Sequence, residues 1–163
     1  MRQEVAVFAG GCFWCTQKVF DKIDGVLETK VGYTGGFIKS PSYDQVCHAT
    51  TGHVEAVQVV FDKEKVSYEK LLKIFWKSID PLNTKGKFCD VGSQYMPVIF
   101  YKNEMQRKRA LDSKFVKEKK LGEVSVKIVE LKEFYPAEEH HQKYYLKNQI
   151  QYEKYEKGSG RKT

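Results

Sequence analysis

Two cysteines stand three positions apart in the pentapeptide Gly11-Cys12-Phe13-Trp14-Cys15. An apolar run at residues 5–9 precedes them and reads as a buried strand; residues 16–23 follow and read as a helix. A thiol at a strand-to-helix junction lies where backbone N–H groups and the helix dipole favour the thiolate, the nucleophilic form. Phe13 and Trp14 can wall an apolar pocket beside the Cys12 sulfur, and Cys15 falls within one helical turn as a candidate resolving thiol. Taken as a helical stripe, Cys12, Cys15, Val19 and Ile23 also fit a buried apolar face. The glycine pair Gly10-Gly11 weighs for chemistry, because it permits a sharp turn and close approach by a ligand.

A second cluster is Tyr43-Asp44-Gln45-Val46-Cys47, followed by Gly52-His53-Val54-Glu55. Glu55 lies in the opening of an otherwise apolar strand. Burial disfavours a carboxylate charge and raises the pKa, and such a carboxyl can act as a general acid at neutral pH. Alone, Glu55 reads equally as a strand-edge surface residue and Tyr43 as a packing residue. A third cluster, Phe88-Cys89-Asp90-Val91-Gly92-Ser93-Gln94-Tyr95, abuts a strand. Alone, Asp90 and Tyr95 read as turn chemistry.

The elements that must carry these clusters follow from periodicity. Residues 4–9 read as a strand, 13–22 as a helix, Asp24-Gly25 as a turn and 26–33 as a second strand. A polar loop runs from 34 to about 52, with Gly35-Gly36 and Ser40-Pro41 as turn signals. Residues 54–61 form a strong strand. Ser67 caps a helix with the stripe Tyr68, Leu71, Leu72, Phe75, Trp76 and Ile79, ended by Asp80-Pro81. A second polar loop spans 82–95. A strand at 97–101, a helix at 104–119 and a strand at 124–131 come next. After Tyr135-Pro136 the chain is polar and tyrosine-rich, with a flexible tail at about 156–163. The expected architecture is one α+β domain over residues 1–163. It is a two-layer sandwich with helices on one face of a central mixed sheet, a ferredoxin-like core and long functional loops.

Composition narrows the classes. With 163 residues, 41% hydrophobic, the chain can bury a sizeable core and does not read as disordered. No apolar run approaches membrane-spanning length. Met1-Arg2-Gln3-Glu4 leads almost straight into a strand, leaving no room for a signal peptide, so the expected location is cytoplasmic. The net charge of +7 resides largely in lysines on helix faces (Lys114, Lys117, Lys119, Lys120) and in the tail, which reads as solvated surface. No nucleic-acid-binding motif accompanies it. In a reducing compartment, Cys12, Cys15, Cys47 and Cys89 do not read as a disulfide framework. Cys12 and Cys15 have zinc-ligand spacing, but no second C-x-x-C or H-x-x-x-H pair completes a site, so no metal is expected. The runner-up enzyme is a general thiol–disulfide oxidoreductase built on the C-x-x-C that follows a strand.

Together the clusters resemble the A-type peptide-methionine sulfoxide reductases. The resemblance rests on Gly11-Cys12-Phe13-Trp14, Gly32-Tyr33-Thr34-Gly35-Gly36, Tyr43 with Val46-Cys47, Gly52-His53-Val54-Glu55, Asp90-Val91-Gly92-Ser93-Gln94-Tyr95 and His141-Gln142-Lys143-Tyr144-Tyr145-Leu146. It implies reduction of the S epimer of methionine sulfoxide, free or in an oxidised protein, with no bound cofactor. Cys12 matches the nucleophile, Glu55 the acid that protonates the sulfoxide oxygen, and Tyr43 and Tyr95 the phenols that hydrogen-bond it. Phe13 and Trp14 match the substrate-methyl pocket, and Asp90 a residue that orders the site. The implied reductant is thioredoxin; the expected assembly, on which no residue bears, is a monomer.

The chain departs from that pattern at three places. Cys15 stands where many relatives carry glycine, and the tail after Tyr152 has no cysteine. Cys15 is therefore the favoured resolving thiol, with Cys89 second; Cys47 resembles a buried structural cysteine. Val91 stands where many relatives have a polar residue, so the water network around Asp90 is expected to differ.

Overall fold

The computed structural model describes residues 2–48, 51–81, 86–87, 90–91 and 95–159, with backbone alone at 86–87, 90–91 and 159. In chain order the elements are β1 (Gln3–Ala9), α1 (Phe13–Asp21), β2 (Val26–Thr34), α2 (Tyr43–Cys47), β3 (Val54–Asp62), α3 (Tyr68–Ser78), β4 (Gly86–Lys87), β5 (Asp90–Val91), β6 (Val98–Tyr101), α4 (Glu104–Leu121), β7 (Lys127–Glu130) and β8 (Phe134–Pro136). A 3-10 turn (Glu139–His141) leads to α5 (Tyr144–Lys147) and α6 (Gln149–Ser159).

Six strands form one sheet in the order β7-β6-β1-β3-β2-β8, and β4 and β5 make a separate small ladder. β6 and β7 are parallel, while the other neighbours in the large sheet are antiparallel. The inner order β6-β1-β3-β2, joined through α1 and α3, is the ferredoxin-like arrangement within a mixed α+β sheet, as the element order implied. Period-2 alternation sorts the strand residues onto two faces. Ala6, Phe8, Val31, Tyr33, Val57, Val59 and Phe61 join a core with Phe20 of α1 and Leu71, Leu72 and Phe75 of α3. Val7, Ala9, Val54, Ala56, Val98 and Phe100 form a second cluster. Phe8 stacks on Phe20 and Phe75 at centroid separations of 5.0 and 5.3 Å. Truncating Phe75 to alanine in such a core costs about 3–5 kcal/mol.

α3 follows its sequence signals. The Ser67 side chain accepts from the Lys70 N–H at 3.1 Å, and Tyr68, Leu71, Leu72, Phe75 and Trp76 are the buried face. Three regions differ from the sequence reading. The polar loop contains α2, closed by a capping box between Ser42 and Gln45; five residues are too few to display a helical stripe. The strand expected at 124–131 is confined to β7, and Val124 and Val126 enter the core without pairing. The tyrosine-rich end folds into α5 and α6, and α6 continues to Ser159, inside the stretch read as tail.

Tertiary contacts hold that end. The Gln142 side-chain amide pairs with Val31 as a peptide would, accepting from its N–H and donating to its carbonyl, both at 2.9 Å. Lys143 takes a left-handed backbone, φ 56°. Its N–H donates to Gln17 Oε1 at 2.8 Å and its ammonium reaches Asp21 Oδ2 at 2.6 Å. These bonds offset the unfavourable backbone geometry. Among the described residues, no helix is long and apolar enough to cross a membrane.

Candidate active site

The turn between β1 and α1 places Cys12. Gly11 has φ +96°, a region that L side chains avoid, and this lets the chain reverse between strand and helix. Cys12 is then the N-cap residue of α1, 5% exposed. Its side chain makes no capping bond, so its sulfur stands at the positive end of the helix. Phe13, first residue of the helix, donates its N–H to Glu55 Oε1 at 3.1 Å. That bond ties the carboxyl of β3, 1% exposed, to the residue next to the thiol. Sheet register does the rest: Glu55 lies opposite Tyr33 of β2, and the fully buried Tyr33 donates its hydroxyl to Glu138 Oε1 at 3.0 Å.

Tyr43 is brought in by α2. The loop before it folds back on residues 51–53: a Cβ on Gly36 would lie 2.4 Å from the Thr51 carbonyl and the His53 nitrogen. The Gly36 N–H donates to His53 Nδ1 at 3.0 Å. The Tyr43 N–H donates to Glu138 Oε2 at 3.1 Å. Its phenol titrates well above the ordinary range, first through burial, then through the charge of Glu55 and a hydrogen bond with Cys47. Tyr95 acts on it in the same sense. Tyr43 is therefore a neutral donor, with Glu55, Cys47 and Tyr95 as its neighbours. Burial likewise pushes the Cys47 thiol up, against the hydrogen bond from Tyr43, so Cys47 is not activated. Glu138 is held below its usual value: burial alone would raise it, but N–H donors and the Tyr33 hydroxyl outweigh that.

The rings close into a cage. Phe13 lies 5.7 Å from Tyr33, 6.2 Å from Tyr43 and 5.5 Å from His141. Trp14 stacks on Tyr144 at 3.9 Å and donates its indole N–H to His141 Nδ1 at 3.2 Å. That acceptor role puts the neutral imidazole proton on Nε2. Burial, with His140 beside it, lowers His141 to about 4, so it is neutral at physiological pH.

Cys12, Phe13, Trp14, Tyr43 and Glu55 thus converge, and Tyr95 neighbours Tyr43. Asp90 is placed by its backbone, paired with Lys87; its side chain, Cys89 and residues 92–94 lie outside the described residues. Cys15, third residue of α1, is 0% exposed beneath α6 and accepts from the Tyr152 hydroxyl at 3.3 Å. Among the described residues Cys12, Cys15 and Cys47 are in no disulfide. His141, Tyr144 and Glu138 had no chemical role in the sequence reading. The first two stood in the C-terminal motif, but only folding shows that they clamp Trp14.

A thiol at a helix N-terminus, a buried carboxyl one residue away and phenol donors in an aromatic cage define a thiol-dependent oxidoreductase whose substrate has an apolar part and an oxygen to be polarised. Residues 4–163 match the family model for peptide methionine sulfoxide reductase, and the chain belongs to that family. It is 48% identical to peptide methionine sulfoxide reductase MsrA of Bacillus licheniformis, over 98% of this chain and 90% of the relative. Among solved structures it is similar to reduced Mxr1 of Saccharomyces cerevisiae (TM-score 0.86, 29% identity, 91% of this chain and 87% of that one). It is also similar to methionine sulfoxide reductase A of Corynebacterium diphtheriae (TM-score 0.84, 30% identity, 91% and 76%).

Proposed function

We propose that the chain reduces the S epimer of methionine sulfoxide, in oxidised proteins or free, with Cys12 as nucleophile. The carrying observation is the Phe13 N–H···Glu55 bond, which fixes a buried carboxyl beside the thiol. A sulfoxide sulfur is a poor electrophile until its oxygen is protonated or strongly hydrogen-bonded. Glu55 supplies the proton, and Tyr43 and Tyr95 donate hydrogen bonds to the same oxygen. The Cys12 thiolate attacks sulfur while the substrate methyl packs on Phe13 and Trp14, which selects the epimer. That attack forms a bond between the two sulfurs and leaves the protonated oxygen as a hydroxyl on the substrate sulfur. The hydroxyl then passes to the Cys12 sulfur as the substrate S–O bond and the S–S bond break, so methionine leaves and Cys12 is a sulfenic acid. Asp90 helps order the site.

Cys15 then attacks the sulfenic sulfur, giving a Cys12–Cys15 disulfide and water. Thioredoxin, an external dithiol, reduces that disulfide by exchange, so the electrons need no bound cofactor or metal. Action as a monomer in a reducing, cytoplasmic compartment is part of the same reading, and thiols held outside disulfides suit such a compartment. General thiol–disulfide exchange is the weaker reading: it leaves Glu55 and the phenols without a task.

The test is incubation with separate S and R sulfoxide peptides and dithiothreitol, beside Cys12→Ser. Only the S epimer should be reduced. The variant should lose on the order of 10⁴-fold or more. Reduction of both epimers, or an active variant, contradicts the proposal.

A further inference from the structure

The sulfur of Cys15 lies beneath the C-terminal helix. The Tyr152 ring, 2% exposed, covers it, and the hydroxyl is 3.3 Å from Cys15 Sγ and 3.3 Å from Glu156 Oε2. A phenol has one proton, so these two acceptors compete for it. Neighbouring groups fix the ring. Lys18 pairs with Glu156 at 3.2 Å and lies over the Tyr152 ring at 5.0 Å, and Tyr145 approaches it edge-on at 6.2 Å. Lys18 follows Cys15 by three positions, so thiol and cation share one face of α1, against which the phenol and carboxylate of α6 lie.

We propose that Tyr152 is a positioning residue for the resolving step: its hydroxyl holds the Cys15 sulfur, stabilises it as the attacking thiolate, and turns to Glu156 when that sulfur leaves to bond Cys12. This rests on the reading of Cys15 as the resolving thiol. In the step, the S–S bond forms between Cys15 and Cys12, the S–O bond of the sulfenic acid breaks, and the proton lost by Cys15 departs with the oxygen as water. A donor on sulfur favours the thiolate, which is the species that attacks. Glu156 at the same distance means that the buried hydroxyl keeps an acceptor after the sulfur moves. The interaction belongs to this chain's departure from its family pattern, because a glycine at position 15 would offer the phenol nothing.

The test follows two products in one single-turnover reaction with a sulfoxide peptide: methionine, then the Cys12–Cys15 disulfide. Tyr152→Phe keeps the ring and its packing. It should form methionine at the normal rate, within about twofold, and form the disulfide about tenfold more slowly, the scale of one hydrogen bond to an ionised group. Methionine formation slowed in Tyr152→Phe as much as disulfide formation would mark a general structural lesion and overturn the proposal. Disulfide formation at the wild-type rate in Tyr152→Phe overturns the role of Tyr152 while leaving Cys15 in place. Undiminished thioredoxin-driven turnover in Cys15→Ser removes Cys15 from the mechanism and the role of Tyr152 with it.

Discussion

Cys12 and Cys15 share one helical turn yet stand in opposite surroundings. Cys12 caps α1 and faces what the rest of the fold delivers: Glu55 from β3 and Tyr43 from α2, with the Phe13 and Trp14 rings beside it. Cys15 is fully buried under α6, against a phenol and next to an ion pair. In the proposed function, one surrounding polarises an oxygen on an incoming substrate and the other stores a thiol for the later step. Positions three apart share a helix face; what separates the two sulfurs is that Cys12 is the N-cap residue with extended backbone, outside the first turn, whereas Cys15 lies inside the helix.

The separation can be broken at either end. The largest effect is expected at the acid. Glu55→Gln keeps the acceptor for the Phe13 N–H but has no proton to give, and should slow methionine formation about 10²–10³-fold. Disulfide formation, once the sulfenic acid exists, should change little. Rapid-quench measurement of both products checks this, and equal slowing of the two steps would merge the two surroundings into one. Tyr43→Phe is a smaller lesion, because in the proposed function Glu55 and Tyr95 remain to act on the oxygen. About a tenfold loss of methionine formation is expected, again with the later step spared.

The smallest effect concerns Trp14, whose indole N–H is held by neutral His141. The ordinary pKa of 6.5 falls to about 4 in the folded chain. As pH drops, the unfolded chain therefore takes up this proton first. The stability contribution is complete above pH 6.5, declines through the interval down to about 4, and levels off below it. The lowered pKa of Glu138 acts in the same sense at still lower pH. Urea unfolding at pH 7, 5.5 and 4 should show the decline in the wild type and a shallower one in His141→Asn. Parallel curves would mean that His141 is not held neutral.

The difference in legibility between the two surroundings is physical. Cys12, Phe13 and Trp14 are contiguous, and their junction follows from an apolar run meeting a helical stripe. Glu55 opens an otherwise apolar strand, but that position alone suits a strand-edge surface residue equally well, and its burial is visible only in the fold. Tyr43 was legible by its cluster but not by its element, since α2 is a single capped turn. Tyr152 carried no signal: it meets Cys15 across 137 positions of chain. It lies in a helix of low apolar content, docked by the amide of Gln142 and by Lys143 in a left-handed backbone. Local patterning reports the strand or helix a residue joins; it does not report the partner across the fold.

The most direct test of Cys12 as the sulfur that takes the oxygen uses Cys15→Ser with one equivalent of S sulfoxide peptide and dimedone present. We expect one methionine per chain and a dimedone adduct on Cys12 by mass spectrometry. Methionine formed with Cys12 unmodified, or an adduct on another cysteine, would contradict the account.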